Sequence, residues 1–457
     1  MTEAVDVVVI GLGPGGEDVA GKLAEAGLAV VGVERELVGG ECPYWGCVPS
    51  KMMIRAAGLI AEARRIPGMA GQVDIVADYS PVAARIRDEA TDNWDDTVAV
   101  DRFVGKGGRF VRGSARITGP GEVTVGDQVF TARRGIVVAT GTSAAIPPVV
   151  GLAGTPFWTN RGAVEAKEPP ASLIVMGGGA VGVELAQVFA RFGSRVTVVE
   201  AADRLLPMEE PEAGAMLADV LRREGMDVRT GVAASSVHHD GRAFTLTVGG
   251  ESLTADQLLV ATGRQANLAD LGLDRLGLPT TARWLVTDDH QRCADGLWAV
   301  GDITGKGAFT HVAMYQAAIA VRSILGQDGP AADYRAVPRV TFTDPEVGAV
   351  GLTESQAREA GLRVRTGIAQ VPATARGWIH KAGNDGFIKL VEDVERGVLV
   401  GATSAGPSGG EVLGALAVAV HGLVPTEALA QMIYAYPTFH RGIEDAVRDL
   451  RSQAATG

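Results

Sequence analysis

Residues 39–51 read Gly-Gly-Glu-Cys-Pro-Tyr-Trp-Gly-Cys-Val-Pro-Ser-Lys, so Cys42 and Cys47 stand with four residues between them. The chain holds three cysteines, too few for a stapling framework. In a reducing compartment, such a pair reads as a disulfide broken and re-formed during turnover rather than as a structural bridge. The third, Cys293, precedes the apolar run Leu297–Val300 and reads as packing.

The elements around this pair are dinucleotide-binding units. Val7–Ile10 is a short apolar strand running into Gly11-Leu12-Gly13-Pro14-Gly15-Gly16. A helix follows with Val19, Ala20, Leu23 and Ala24 on one face, then a strand Ala29–Val33 ending at Glu34. The pattern returns as Leu173–Met176, Gly177-Gly178-Gly179-Ala180-Val181-Gly182, a helix, and Val196–Val199 ending at Glu200. Gly11, Gly13, Gly16, Gly27 and Glu34 map onto Gly177, Gly179, Gly182, Gly193 and Glu200 by adding 166, an internal repeat. The first glycine permits a tight turn, the second lets backbone approach a pyrophosphate at the helix start, and the third lets helix and strand pack closely. The acidic residue is placed to accept from ribose hydroxyls. Two such units imply two dinucleotides, FAD and a nicotinamide cofactor. Matched strands ending in Ala139-Thr140-Gly141 and Ala261-Thr262-Gly263, and a third ending in Gly301-Asp302, complete the expected cofactor contacts.

From Val337 onward, strands (Arg339–Phe342, Gly386–Val391, Val398–Ala402) give way to helices (Gly410–Val420, Thr426–Ile433, Arg441–Arg451), the pattern of a separate α+β domain. Loops are expected at Pro279 to Arg283 and Gly326 to Ala332, and the tail Ala454–Gly457 is of low complexity. A net charge of −12 and no basic stripe exclude nucleic acid as the main partner. No apolar run reaches membrane-spanning length, and the acidic start lacks a signal peptide, so a cytoplasmic protein is expected. No metal site is expected.

On the segments Gly11–Gly16, Gly39–Lys51, Ala139–Gly141, Gly177–Glu184, Ala261–Gly263, Gly301-Asp302 and Phe342–Val347, the chain resembles the class I pyridine nucleotide–disulfide oxidoreductases over nearly its whole length. That family includes dihydrolipoamide dehydrogenase, glutathione reductase and mercuric reductase. The resemblance implies an α/β fold in which residues 1–145 with 266–335 bind FAD, 146–265 bind NAD(P), and 336–457 form an α+β dimerisation domain. A homodimer is implied, with each site built from two chains. Cys47 would face the flavin as the charge-transfer thiolate and Cys42 would exchange with substrate. Lys51 would sit near flavin N5, paired with Glu184; a cation there stabilises the charge gained on reduction, and a buried lysine needs a carboxylate. Glu200, followed by Ala201 and Ala202 with no arginine cluster, favours NADH over NADPH. Arg204, though near, lies in a segment like that of the NAD-linked members.

Three features depart from the family. Gly46 follows Cys42 after only three intervening residues. Pro43-Tyr44-Trp45 is bulky where small or polar residues are usual, and either narrows access, stacks on an aromatic substrate, or packs beside the flavin. Family members acting on disulfides end in His-Pro-Thr-x-x-Glu, whose His is the acid–base group for the exchanging thiol; here the segment is Tyr436-Pro437-Thr438-Phe439-His440-Arg441. Phenols titrate near 10 and imidazoles near 6.5, so tyrosine donates a hydrogen bond at neutral pH but is a poor base. Losing a positioned acid–base group costs about 10²–10⁴ in rate, so reduction of lipoamide or glutathione disulfide should be weak. Arg441 is free of its family role and is expected to pair with Glu444 or Asp445. Tyr436, rather than His440, is expected to meet the exchanging thiol, with His440 packing or facing solvent. Mercuric reductases also carry a C-terminal cysteine pair, which is missing after Cys293. The reading is therefore an enzyme passing electrons from NAD(P)H through flavin and Cys42–Cys47 to a small-molecule acceptor that the sequence does not name. A quinone, dye or metal-ion reductase using the flavin, or a slowly turning-over redox sensor or flavin-binding partner subunit, are the alternatives.

Overall fold

The computed structural model describes residues 2–279 and 282–452, which divide into two compact units. The central residues of the expected loop at 279–283, and the tail at 454–457, lie outside them.

The first unit comprises Met1–Ser50, Ala83–Ala145 and Arg264–Tyr334. Its sheet runs in the order Arg292–Ala294, Leu297–Ala299, Gln128–Val138, Thr2–Ile10, Val30–Glu34, Arg109–Arg112. Neighbours in this order pair in parallel except Arg292–Ala294 with Leu297–Ala299, and off it Glu122–Val125 pairs antiparallel with Gln128–Val138. Side chains alternate across a strand, so Val8 and Ile10 enter one core while Val7 and Val9 enter another on the opposite face with Val19, Ala20 and Leu23 of the helix Pro14–Glu25. Burial on both faces explains why this strand is continuously apolar. Cys293 packs at the edge of the first core, and burial pushes its thiol up to about 12, as expected for a packing residue.

The second unit comprises Lys51–Val82, Ile146–Gly263 and Arg335–Gly457. It repeats the parallel arrangement in a four-stranded sheet ordered Gln257–Val260, Ser172–Met176, Arg195–Val199, Asp227–Arg229. It also holds a five-stranded antiparallel sheet ordered Pro338–Thr341, Glu346–Gly351, Val398–Gly406, Phe387–Asp393, Val364–Gln370. Two of these strands, Glu346–Gly351 and Val364–Gln370, are absent from the sequence reading, whose α+β expectation otherwise matches in kind. Their interior glycines (Gly348 and Gly367) mask a strand pattern that the packing requires: a Cβ on Gly367 would meet the Ala446 carbonyl oxygen at 2.3 Å. The last helix begins at Gly442 rather than Arg441, so His440 precedes it.

Candidate functional site

The two glycine-rich turns are built alike down to their hydrogen bonds. Gly11 and Gly177 hold φ of +92° and +117°, conformations that L side chains rarely adopt. A Cβ on Gly16 or Gly182 would lie 2.0 Å from the carbonyl oxygen of Gly11 or Gly177. Gly13 and Gly179 cap the helices Pro14–Glu25 and Ala180–Arg191, and a Cβ on either would meet nothing within 4 Å. Each helix start therefore faces open space with its N–H groups, as a pyrophosphate requires. Glu34 accepts from the N–H groups of Leu12 and Glu36, both at 2.8 Å. Glu200 accepts from Gly178 at 2.5 Å and Ala202 at 2.6 Å, the same positions shifted by 166. A carboxylate offers about four lone-pair sites, so capacity for two ribose hydroxyls remains.

Asp302 opens the short turn after the strand Leu297–Ala299 and accepts from Thr142 Oγ1 at 2.7 Å. Arg264 donates to the same hydroxyl and to the Thr142 carbonyl, each at 2.7 Å. Burial nevertheless holds the Asp302 carboxyl above its ordinary range. Thr140 donates to the Asn267 carbonyl at 2.9 Å, Gly141 and Gly263 take φ of +62° and +125°, and the Gly301 N–H donates to Gln316 Oε1 at 2.7 Å.

Cys47 is the first residue of an 18-residue helix, Cys47–Arg64, while Cys42 lies in the turn Glu41–Tyr44 before it. Helix starts favour thiolates. The hydrogen bond that the Cys42 thiol shares with Cys47, and then its half-burial, raise its pKa. Thr310 opposes them: its hydroxyl reaches Cys42 and lies 3.5 Å from Cys47 Sγ. Sequence reasoning missed Thr310, which begins the helix Thr310–Leu325 far along the chain, and no local motif marks it. Tyr44 and Trp45 are 6% and 9% exposed with ring centroids 5.8 Å apart, so they pack in the interior.

Lys51 lies one helical turn beyond Cys47, and its Nζ is 2.9 Å from Glu184 Oε2. Tyr436 is 70% exposed, with the Arg441 guanidinium 5.4 Å from its ring centre. Arg441 pairs with Glu444 at 3.0 Å, one of the two partners expected. The His440 ring lies 3.5 Å from Thr438 Oγ1 and packs near Tyr434.

Comparison with known proteins accounts for this arrangement. Residues 5–317 match the model of the pyridine nucleotide-disulphide oxidoreductases, and residues 337–447 match the dimerisation domain of the same family. The chain belongs to that family. It is 33% identical to dihydrolipoyl dehydrogenase of Thermus scotoductus over 98% of both chains. It is 34% identical to mercuric reductase of Shewanella putrefaciens, over 96% of this chain and 80% of the other. Among solved structures, the Cu(II) complex of the HOCl-induced flavoprotein disulfide reductase RclA from Escherichia coli superposes with a TM-score of 0.85 at 26% identity, covering 98% of this chain and 99% of that one. As a pyridine nucleotide-disulphide oxidoreductase, the protein is a flavin-dependent enzyme that uses FAD and NAD(P)H with a disulfide redox centre. The open space at Gly13 and Gly179 and the acceptor carboxylates of Glu34, Glu200 and Asp302 fit the chemistry of those two cofactors. No helix among the described residues is long and apolar enough to cross a membrane.

Proposed function

We propose that the enzyme takes electrons from NADH and delivers them through Cys42 and Cys47 to an unusual disulfide or other thiol-linked acceptor. The observation that carries this is the Cys42–Cys47 pair, within hydrogen-bond reach of one another and of Thr310 at a helix start, in a chain with two dinucleotide cradles. The first cradle, in 1–145 with 266–335, is assigned to FAD; the second, in 146–265, to NADH; and 336–457 to a homodimer interface. FAD held at the first cradle would supply the two-electron relay from NADH that reduces the Cys42–Cys47 bond. Cys42 Sγ then attacks an acceptor disulfide, forms a mixed disulfide and releases a thiolate, which takes up a proton. Cys47 attacks Cys42 Sγ, closes the Cys42–Cys47 bond and frees the second acceptor thiol. Lys51, held by Glu184, supplies positive charge toward the flavin. Exposed Tyr436 is the hydrogen-bond donor that each subunit offers its partner's exchanging thiol.

NADH is favoured because the Arg204 guanidinium is committed to its own loop, donating to the carbonyls of Pro207 at 2.8 Å and Glu209 at 3.3 Å. Glu200 then faces the ribose without a cation to balance a 2′-phosphate.

Anaerobic titration tests the sulfur route. The wild type should accept twice as many electrons from NADH as Cys42→Ser; equal uptake would overturn the route. Assays of wild type and Tyr436→His on lipoamide and glutathione disulfide should then show a gain of about 10²-fold in the variant, the scale of a restored acid–base group.

A second reading sends electrons from flavin directly to a quinone, a dye or a metal ion. It is favoured by the raised pKa of Cys42, which slows thiol exchange. Quinone turnover that survives Cys42→Ser would support it.

A further inference from the structure

Lys51 and Glu184 are both held by a third residue, Phe342. The Lys51 ammonium lies 4.7 Å from the centre of the Phe342 ring. The Phe342 N–H donates to Glu184 Oε1 at 2.8 Å, leaving Oε2 for Lys51 at 2.9 Å. Both carboxylate oxygens are thus fixed, and the ammonium is held from two directions. The side chains differ in burial: Glu184 is 6% exposed and Lys51 36%. A half-exposed lysine on a four-carbon stem has many rotamers open to it, so one ion pair alone specifies its position poorly.

The segment carrying Phe342 is itself gripped. The Asp344 N–H donates to Gln187 Oε1 at 2.7 Å, and Gln187 Nε2 donates to the Asp344 carbonyl at 2.8 Å. The Asp344 carboxylate accepts from Arg191 at 2.8 Å and from Arg65, just past the cysteine helix, at 2.7 Å. Glu184, Gln187 and Arg191 lie on one face of the helix Ala180–Arg191 and are all buried. That face is built to hold residues 342–344 in place.

We infer that Phe342 is a positioning residue for Lys51, its ring seating the ammonium and its N–H orienting Glu184, so that the charge offered to the flavin depends on this ring. The inference rests on the assignment of Lys51 to the flavin, and the experiment separates the two.

Phe342→Leu, Phe342→Tyr and Lys51→Met are each placed in a Cys42→Ser background, so that only flavin takes up electrons. The ratio of reduced to oxidised flavin is read at a fixed NADH-to-NAD⁺ ratio. Phe342→Leu should lower it about five-fold, the scale of one cation–π contact, and Phe342→Tyr should restore it. In FAD-free protein, the acylation rate of Lys51, read by peptide mass spectrometry, should rise in Phe342→Leu and stay at the wild-type value in Phe342→Tyr. No effect of Lys51→Met on the ratio would defeat the flavin assignment itself. An effect of Lys51→Met with none from Phe342→Leu would overturn the role of Phe342. Equal losses in Phe342→Leu and Phe342→Tyr would also overturn it, because the ring would then be mere packing.

Discussion

The helices of the two repeated units are alike at one end and unlike at the other. At the start, the turn glycines and the acidic acceptor superimpose in number and in hydrogen bonding. Farther along, Glu184, Gln187 and Arg191 of the second helix correspond to Asp18, Gly21 and Glu25 of the first, 166 residues earlier. Asp18 pairs with Lys22 at 2.7 Å, and Glu25 lies 3.5 Å from Lys106; both are ordinary surface pairs. Their counterparts are buried and hold Lys51 and the segment 342–344. The phosphate end stays constant because both cofactors carry a pyrophosphate. The far face is free to specialise because it meets different neighbours, and in the second unit it holds Lys51 and the segment 342–344.

The harshest way to break this comparison is to fill the third glycine of each unit. Gly16→Val and Gly182→Val place the same clash on the same backbone oxygen. Gly16→Val should purify without FAD. Gly182→Val should keep its yellow colour yet lose flavin reduction by NADH about 100-fold, the scale of a ~3 kcal/mol steric penalty. Bound-flavin absorbance and stopped-flow reduction check both, and loss of FAD in both variants would defeat the assignment of one cofactor to each unit.

A gentler pair probes the far face. Glu184→Gln leaves Lys51 facing a neutral group and should slow flavin reduction by about ten-fold, less than a fully buried pair would cost because Lys51 is partly solvated. Asp18→Asn, at the matching position, should stay within about two-fold, as exposed helix pairs contribute little. Stopped-flow rates with NADH measure both, and equal slowing would mean that the far faces had not diverged in function. Smaller again is Glu200→Ala, which should lower the ratio of kcat/KM for NADH over that for NADPH by about five-fold through loss of a ribose hydrogen bond and of a repulsive charge.

How much of this was legible in the sequence follows from the range of each interaction. The cradles are readable because their glycines recur at fixed short spacings, with Gly16 and Gly182 each answering a demand made by backbone five residues earlier. The pairing of Arg441 with Glu444 was readable because helical spacing fixes it. Thr310 was not, since 263 residues separate it from Cys47 and a threonine at a helix start is common for its own sake. Phe342 stands out in the sequence only as part of the segment Phe342–Val347; its grip on Lys51 and Glu184 depends on an aromatic ring and a backbone N–H, neither of which a spacing rule reports. Tyr44 and Trp45 were ambiguous because an aromatic pair beside a reactive thiol suits packing and recognition equally, and only burial decides between them.

The smallest expected effect concerns a residue that the second unit lacks altogether. The first sheet continues past Gln128–Val138 with Leu297–Ala299, which delivers Asp302, whereas the second sheet ends at the matching strand Gln257–Val260. Burial raises the Asp302 carboxyl above its ordinary value of 3.8, so the folded apoprotein binds this proton more tightly than the unfolded chain does. Stability therefore falls as pH rises from the unfolded value through the folded one, and the loss persists at neutral pH. Asp302→Asn removes the charge while keeping the shape. In FAD-free protein it should raise Tm by roughly 1–3 °C at pH 7, and the advantage should vanish as pH approaches 4. In FAD-loaded protein the sign should reverse, because asparagine cannot supply the carboxylate that a cofactor hydroxyl would bond. A carboxylate that weakens the empty fold and strengthens the loaded one is retained for its ligand, and melting curves with and without FAD at the two pH values separate that outcome from a merely structural aspartate.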